Sequence, residues 1–543
     1  MKFKFLLSLV LGAALSMSAQ GYKDGIEYYK ADQFENAKTI LTRTLDDAST
    51  DKSEAYYYLG EIALRNGDKA TAESNFDKGI AVNAENPYNY VGKGAIALMN
   101  GNEKVADDFF GKARGYGKKN AELLTAIARA YYNADPVKYA NDITKNIERA
   151  KKANKKDPYN LILQGDMKAA EKKPGDAAAL YENAILFDAM NVPAYVKYAN
   201  VYFQVSPEFA IKKLEELLEI QPESALAQRE LAEKYYQNDQ WAKAAVAYGK
   251  YIENPNHFTE DKVRYSVLLY YGQLYDQSLS LANDLLEKDP KNFQLHRIAF
   301  LNKAALKDFA GAEKQAVAFF ALTTPDKYSS NDYASMGDVL KELGKDSLAV
   351  LEYEKAVKIN PEKVDLIRQL SSAYNSVKNY EKAAAVYQQI IDGGNYKTND
   401  LFMLAGRYMS HASTEQDSVK REVALANAMK YIDDVLAKVP DDYRISQRKA
   451  RILMVKNGNQ PSAESSEVYK TVIAILDKDP ANKTKRINDY IEAYNQIAGA
   501  YILANDKANA VVYYEKFLEI DPSNEPLKAY VQKLKEQVAK ESK

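Results

Sequence analysis

The sequence predicts an all-α protein, an α-solenoid of stacked helical hairpins, and three observations carry that expectation. Helix breakers are scarce, with 24 Gly and 16 Pro in 543 residues, while Ala, Leu, Lys, Glu and Tyr dominate. A small residue recurs along the chain, followed twelve positions later by Ala and sixteen later by a large, mostly aromatic side chain. Proline returns at matching places between these units, where it disfavours helical geometry in the residue before it.

The chain opens on a segment of another kind. Lys2 and Lys4 form a positive start, Phe5 to Leu15 an apolar stretch, and Ser16 to Gln20 a small and polar exit. That layout is a secretory signal peptide over residues 1–20, too short in its apolar run to span a bilayer; the alternative is an ordinary buried helix. No other segment approaches about 18 consecutive apolar residues, so the remainder is expected to be soluble, with no transmembrane segment. The chain has no cysteine, which excludes disulfides, thiolate metal sites, a cysteine nucleophile and the lipid-bearing cysteine of a lipoprotein. The short leader resembles those of Gram-negative bacteria, so the expected address is the periplasm.

The repeat follows. Its instances are Gly25/Ala37/Leu41, Gly60/Ala72/Phe76, Gly94/Ala106/Phe110 and Gly165/Ala177/Tyr181. They continue with Ala232/Ala244/Tyr248, Gly337/Ala349/Tyr353, Ser371/Ala383/Tyr387 and Ala498/Ala510/Tyr514. Asp-Pro-x-Asn punctuates the units at Asp157, Asp289, Asp479 and Asp521, and Pro222, Pro361 and Pro440 occupy equivalent places. Gly or Ala on the first helix lets the second approach closely, and the ring fills the space between adjacent hairpins. Each helix is marginal alone in water, so stacking supplies the stability.

These residues resemble the tetratricopeptide repeat, a helix–turn–helix unit of about 34 residues. Gly60 and Gly94 are 34 apart by their numbers. The unit from about Ser330 to Lys363 fits well, with Met336, Gly337, Leu340, Ala349, Tyr353, Ala356 and Pro361 in the family's signature places. The resemblance implies about fourteen hairpins over residues 21–524, winding into a right-handed superhelix of almost two turns. Insertions are expected near 133–146, 409–422 and 456–467, each between the two helices of a hairpin, as binding edges or as tolerated loop growth. Residues 525–543 read as a capping helix with Leu527, Tyr530, Val531, Leu534 and Val538 on one face.

Little points to catalysis, and no cofactor or metal is expected. The three histidines, His257, His296 and His411, fall in different hairpins without ligand partners. Gly92-Lys93-Gly94-Ala95-Ile96-Ala97 matches a loose dinucleotide-binding string, but that motif works only in the turn after a strand. Lys+Arg (74) and Asp+Glu (75) nearly cancel to a formal charge of -1, leaving no basic excess for nucleic acid. The family register places Tyr57, Tyr58, Arg229, Tyr236, Arg264, Tyr270, Tyr271, Arg368 and Asn375 on or near a concave inner face. There the resemblance implies binding of extended peptides or partner proteins. The expected function is a non-catalytic periplasmic scaffold or adaptor, peripherally associated with a cell-envelope complex it helps to assemble or maintain. The alternative is a glycan- or nutrient-binding part of an outer-membrane uptake system.

Overall fold

The computed structural model describes residues 21–254 and 257–541; the expected leader at 1–20 lies outside them. Among the described residues there are helices and no strand. None of these helices is long and apolar enough to cross a membrane. The chain divides into two compact units, the boundary falling between Asn302 and Lys303.

The first unit opens with the hairpin α1 (Tyr22–Lys30) and α2 (Phe34–Arg43), then α3 (Lys52–Arg65) and α4 (Lys69–Val82). Next come α5 (Pro87–Met99), α6 (Glu103–Gly117), α7 (Ala121–Ala134) and α8 (Ala140–Ala153). It continues through α9 (Pro158–Ala170), α10 (Pro174–Phe187), α11 (Val192–Tyr202) and α12 (Pro207–Ile220). The pairs α13 (Ala225–Gln237) with α14 (Trp241–Glu253) and α15 (Asp261–Tyr271) with α16 (Tyr275–Leu286) complete eight hairpins. Helix α17 (Phe293–Ala305) spans the boundary.

The second unit continues with α18 (Phe309–Phe320), a 3₁₀ turn at Pro325–Lys327, α19 (Ser330–Glu342) and α20 (Asp346–Ile359). Then follow α21 (Val364–Ser376), α22 (Tyr380–Asp392), α23 (Thr398–Thr414) and α24 (Ser418–Lys438). The series ends with α25 (Tyr443–Lys456), α26 (Ala463–Leu476), the single turn α27 (Asn482–Lys485), α28 (Ile487–Leu503), α29 (Lys507–Ile520) and α30 (Glu525–Glu541). Five hairpins, from α19–α20 to α28–α29, precede the terminal helix.

Local chemistry explains the punctuation. Asp51, Asp68, Asn86, Asn102 and Asn120 each cap a helix by accepting a backbone N–H with the side chain. Within most hairpins the chain reverses through one left-handed residue. Gly67, Gly101 and Gly344 hold φ of +79°, +72° and +69° there, and Asp32, Lys172, Asp239, Gln273, Lys378 and Asn505 occupy the same place elsewhere. Pro158 begins α9, whereas Pro222, Pro361 and Pro440 sit in the exposed or half-exposed turns before the next hairpin.

Packing follows the recurring triplet. A methyl group added at Gly60 or at Gly92 would overlap the Phe76 ring, so that ring is held between its own hairpin and the next. Gly94 stands likewise against Phe110. A Cβ at Gly165 would come within 2.5 Å of Tyr181, and one at Gly337 within 2.8 Å of Tyr353. Ala72, Ala106, Ala349, Ala498 and Ala510 are fully or almost fully buried at the matching contacts. Gly92 and Gly94 therefore belong to the middle of α5 as packing positions, with no strand before them.

The irregular places differ from one another in kind. Residues 135–139 form a short connection between α7 and α8, and residues 457–462 one between α25 and α26. The stretch 409–422 is almost wholly helical: it lengthens α23 to 17 residues and α24 to 21, with Asp417 capping the second. No Gly or Pro interrupts the stretch and the added turns keep their hydrogen bonds, so extra length enters as helix. The turn α27 lies between hairpins, at a place where the sequence showed no insertion. The terminal helix α30 buries Val531 and Leu534 beside Tyr514, and Tyr530, 40% exposed, meets the Tyr514 ring edge-on at 5.7 Å.

Because each hairpin contacts chiefly its neighbours, damage at one triplet stays local. Gly337→Leu forces the Tyr353 ring out of place and is expected to cost about 1–3 kcal/mol. Hydrogen exchange should accelerate in peptides covering 330–363, while those covering 22–90 keep the parent's protection. Uniform protection in both regions would remove this packing scheme.

Candidate functional site: the inner helical faces

The residues expected on an inner face fall into three clusters. Tyr57 and Tyr58 on α3 are buried, with ring centres 4.9 Å apart, and Tyr57 also meets Tyr88 at 5.4 Å. On α13 and α15, Tyr236 meets Tyr271 at 5.8 Å, and Tyr271 also meets Trp241 at 5.7 Å. Tyr271 is 40% exposed, whereas its neighbour Tyr270 is half-buried against Tyr275. In the second unit, Arg368 and Asn375 lie on α21, where Asn375 is half-buried.

The three arginines are already engaged within the fold. Arg229 holds Asp261 through Nε at 2.7 Å and Nη2 at 3.3 Å. Arg368 holds Asp400 in the same way, at 3.1 Å through each nitrogen. Arg264 holds Glu233 at 3.0 and 2.9 Å and stacks 4.1 Å over Tyr236. A forked guanidinium matches a carboxylate bidentately, which explains the choice of Arg over Lys at these rungs. Two rungs share one register. Arg229 and Arg368 stand three residues before the buried Ala232 and Ser371, and their acids stand five before the buried Ser266 and Ala405.

In the first unit the inner surface is filled by the chain's own first hairpin. The sequence reading did not anticipate this. Helix α1 packs against α3 and α11, and its tip reaches farther. Lys30 Nζ lies 2.6 Å from Glu122 and 3.7 Å over the Tyr159 ring. The Tyr29 hydroxyl donates to Glu61 at 3.1 Å, and its ring meets Tyr58 at 5.0 Å. Gln33 bonds Glu230, and Asp32 pairs with Lys197, itself 5% exposed and 3.0 Å from Asp166. Tyr28, 1% exposed, sits edge-on to Phe258 at 5.5 Å. The one available signal was composition: α1 buries Tyr22, Ile26, Tyr28 and Tyr29 in nine residues, more than one face can account for.

Charge at this junction is perturbed in a consistent direction. Burial alone would lower Lys30, but Tyr58 and Glu122 beside it hold it well above the usual lysine range. Burial raises the Glu61 carboxyl against the pull of Arg65. Burial also raises Glu27 to about 7, with Asp24 adding repulsion and Lys30 opposing it. A cavity of about 70 Å³ remains between Tyr29, Lys30, Tyr58, Tyr88 and Arg129.

Each histidine bonds locally: His257 Nδ1 to the Asn254 carbonyl at 2.8 Å, His296 Nε2 to that of Pro290 at 3.0 Å, and His411 Nε2 to Glu415 at 3.1 Å. Among the described residues no group of three or more His, Asp or Glu is placed to hold a metal ion.

Comparison with known proteins identifies the repeat. Family models described as tetratricopeptide repeat match residues 22–90, 333–363 and 491–524, so the chain carries tetratricopeptide repeats. No curated protein matches the chain. Among solved structures it is similar to the C-terminal part of a TPR repeat-containing protein from Cytophaga hutchinsonii, at 20% identity and a TM-score of 0.40. That match covers 49% of this chain and 98% of the other. A tetratricopeptide repeat protein from Parabacteroides merdae matches at 16% identity and a TM-score of 0.29, covering 60% and 99%. A thermophilic TPR protein from Thermus thermophilus matches at 16% and 0.26, covering 38% and 98%.

The docked first hairpin carries a testable pH dependence. A carboxyl whose folded value lies above its unfolded value favours the folded form while protonated. That contribution is complete below the ordinary glutamate value of 4.5 and is lost as pH rises through about 7. Thermal unfolding followed from about pH 5 to about pH 8 should show the parent losing stability relative to Glu27→Gln, which removes the ionisation. Parallel curves for the two proteins would show that Glu27 ionises freely in the folded state.

Proposed function

We propose that this chain is an exported, non-catalytic scaffold that holds other proteins, residing in the periplasm and serving assembly or maintenance of a cell-envelope complex. The observation that carries the reading is the repeat itself. Tetratricopeptide repeats lie near both ends and in the middle of the chain, and such hairpins align the inner faces of their first helices as a continuous concave surface for partner segments. The leader-like composition of residues 1–20 supports export, and the lack of cysteine fits an address reached without a lipid anchor. Equilibrium binding is the mechanism, with no bond made or broken.

Crosslinking in intact cells, with fractionation of the envelope, tests both halves. The expected result is a chain lacking its first twenty or so residues in the periplasmic fraction, with a protein partner recovered reproducibly by mass spectrometry. Recovery in the cytoplasm at full length would remove the location. Micromolar binding on a glycan array, with no protein crosslinked, would replace the scaffold by sugar capture.

A further inference from the structure

Two arginines on neighbouring first helices break the pattern of paired charge in the second unit. Arg407 on α23 has its Nε buried without a hydrogen-bond partner. Arg448 on α25 is half-buried, its guanidinium 4.5 Å from the Phe402 ring centre. Burial depresses both groups. Arg451 and Arg407 depress Arg448 further, and only the Tyr387 hydroxyl acts in the opposite sense on Arg407. Among the described residues no carboxylate offsets either one, although Arg451 next door is held by Glu492 at 2.7 Å.

The repeat register shows what is missing. Arg264 and Arg448 occupy the same place, two residues before the fully buried Ser266 and Ala450. Arg264 receives the carboxylate of Glu233, which directly follows the buried Ala232 of the preceding hairpin. The residue in that place for Arg448 is Gly406, directly after the buried Ala405. The Arg448 guanidinium lies over it, so close that a Cβ added there would overlap Nη1. Hence α23 lacks the side chain that would neutralise Arg448, and the backbone there is bare.

We propose that Arg448 and Arg407 bind a carboxylate side chain of an acidic partner segment, which takes up beside Gly406 the part that Glu233 plays in an earlier hairpin. This rests on the scaffold reading and gives the partner a chemistry. A partly desolvated cation without counter-charge is costly, and an incoming carboxylate offsets that cost with the fork geometry seen at Arg264. Carboxylate is the occupant that the register indicates, because the equivalent guanidinium of Arg264 takes the carboxylate of Glu233 through two nitrogens.

The test uses the full chain and fluorescein-labelled hexaglutamate, with hexaglutamine as control, followed by anisotropy. The parent should bind hexaglutamate and not hexaglutamine. Arg448→Ala and Arg407→Ala should each weaken binding on the order of thirtyfold. Gly406→Glu, which supplies the carboxylate internally, should abolish binding and melt no lower than the parent. Equal affinity for hexaglutamate in Gly406→Glu and parent would overturn the site, as would no binding by the parent. Displacement by inorganic phosphate at matched concentration would overturn the carboxylate assignment in favour of a generic anion site. A cellular partner still crosslinked by Gly406→Glu would remove this site while leaving the scaffold reading in place.

Discussion

The spacing of the array depends on rings held between backbones. Phe76 lies against Gly60 of its own hairpin and Gly92 of the next, at distances that leave no room for a methyl group on either side. A ring so placed fixes two separations at once, that between the helices of one hairpin and that between successive hairpins. Interiors at crystal-like density transmit such constraints and do not absorb them. The helices concerned run 13 to 15 residues in this region and would be marginal alone in water. The wedge therefore supplies stability and also sets the repeat distance at which first helices stand side by side.

That fixed distance lets charge be distributed by register. Arg229 and Asp261, and again Arg368 and Asp400, lie 32 residues apart and meet with similar geometry. Tyrosine serves the same end. Tyr181 donates to Asp166 at 2.8 Å, Tyr387 to Asp400 at 3.0 Å and Tyr469 to Glu492 at 2.8 Å. Each ring fills the apolar seam while its hydroxyl reaches a carboxylate at the margin, a combination phenylalanine lacks. The 42 tyrosines in the chain are thus largely a structural population, and their number is no measure of a binding surface.

What was legible in the sequence was whatever repeats. The Gly337/Ala349/Tyr353 triplet and its equivalents gave the hairpins, because a small residue facing a ring has one packing solution. Features that depend on contacts between distant hairpins were not legible. Nothing local in Lys30 or Gln33 announces Glu122 or Glu230, 92 and 197 residues away, since the winding of the first unit brings them together. The form of the stretch 409–422 was not legible for another reason. Extra residues free of Gly and Pro can extend existing helices, and period counting cannot tell that from loop growth. The pairing of Arg229 and Arg264 lay within reach, because the 32- and 31-residue separations of their acids sit close to the repeat period.

These two kinds of legibility bear on where a partner engages. An inner face recognised by register alone is an average over hairpins, and this chain departs from the average in both directions. In the first unit Tyr57, Tyr58 and their neighbours are covered by Tyr29 and Lys30 of α1, so aromatic content there reflects an occupant supplied in cis. In the second unit the departure is a deletion: Gly406 stands where a carboxylate completes an equivalent rung, and the opposing guanidinium is left without one. An array that balances its inner charges rung by rung makes such a vacancy informative, because the surrounding rungs show the partner each arginine takes. Recognition in a repeat protein is therefore best sought at the rungs where the repeat fails to satisfy itself, and less by counting aromatic or charged residues along the groove.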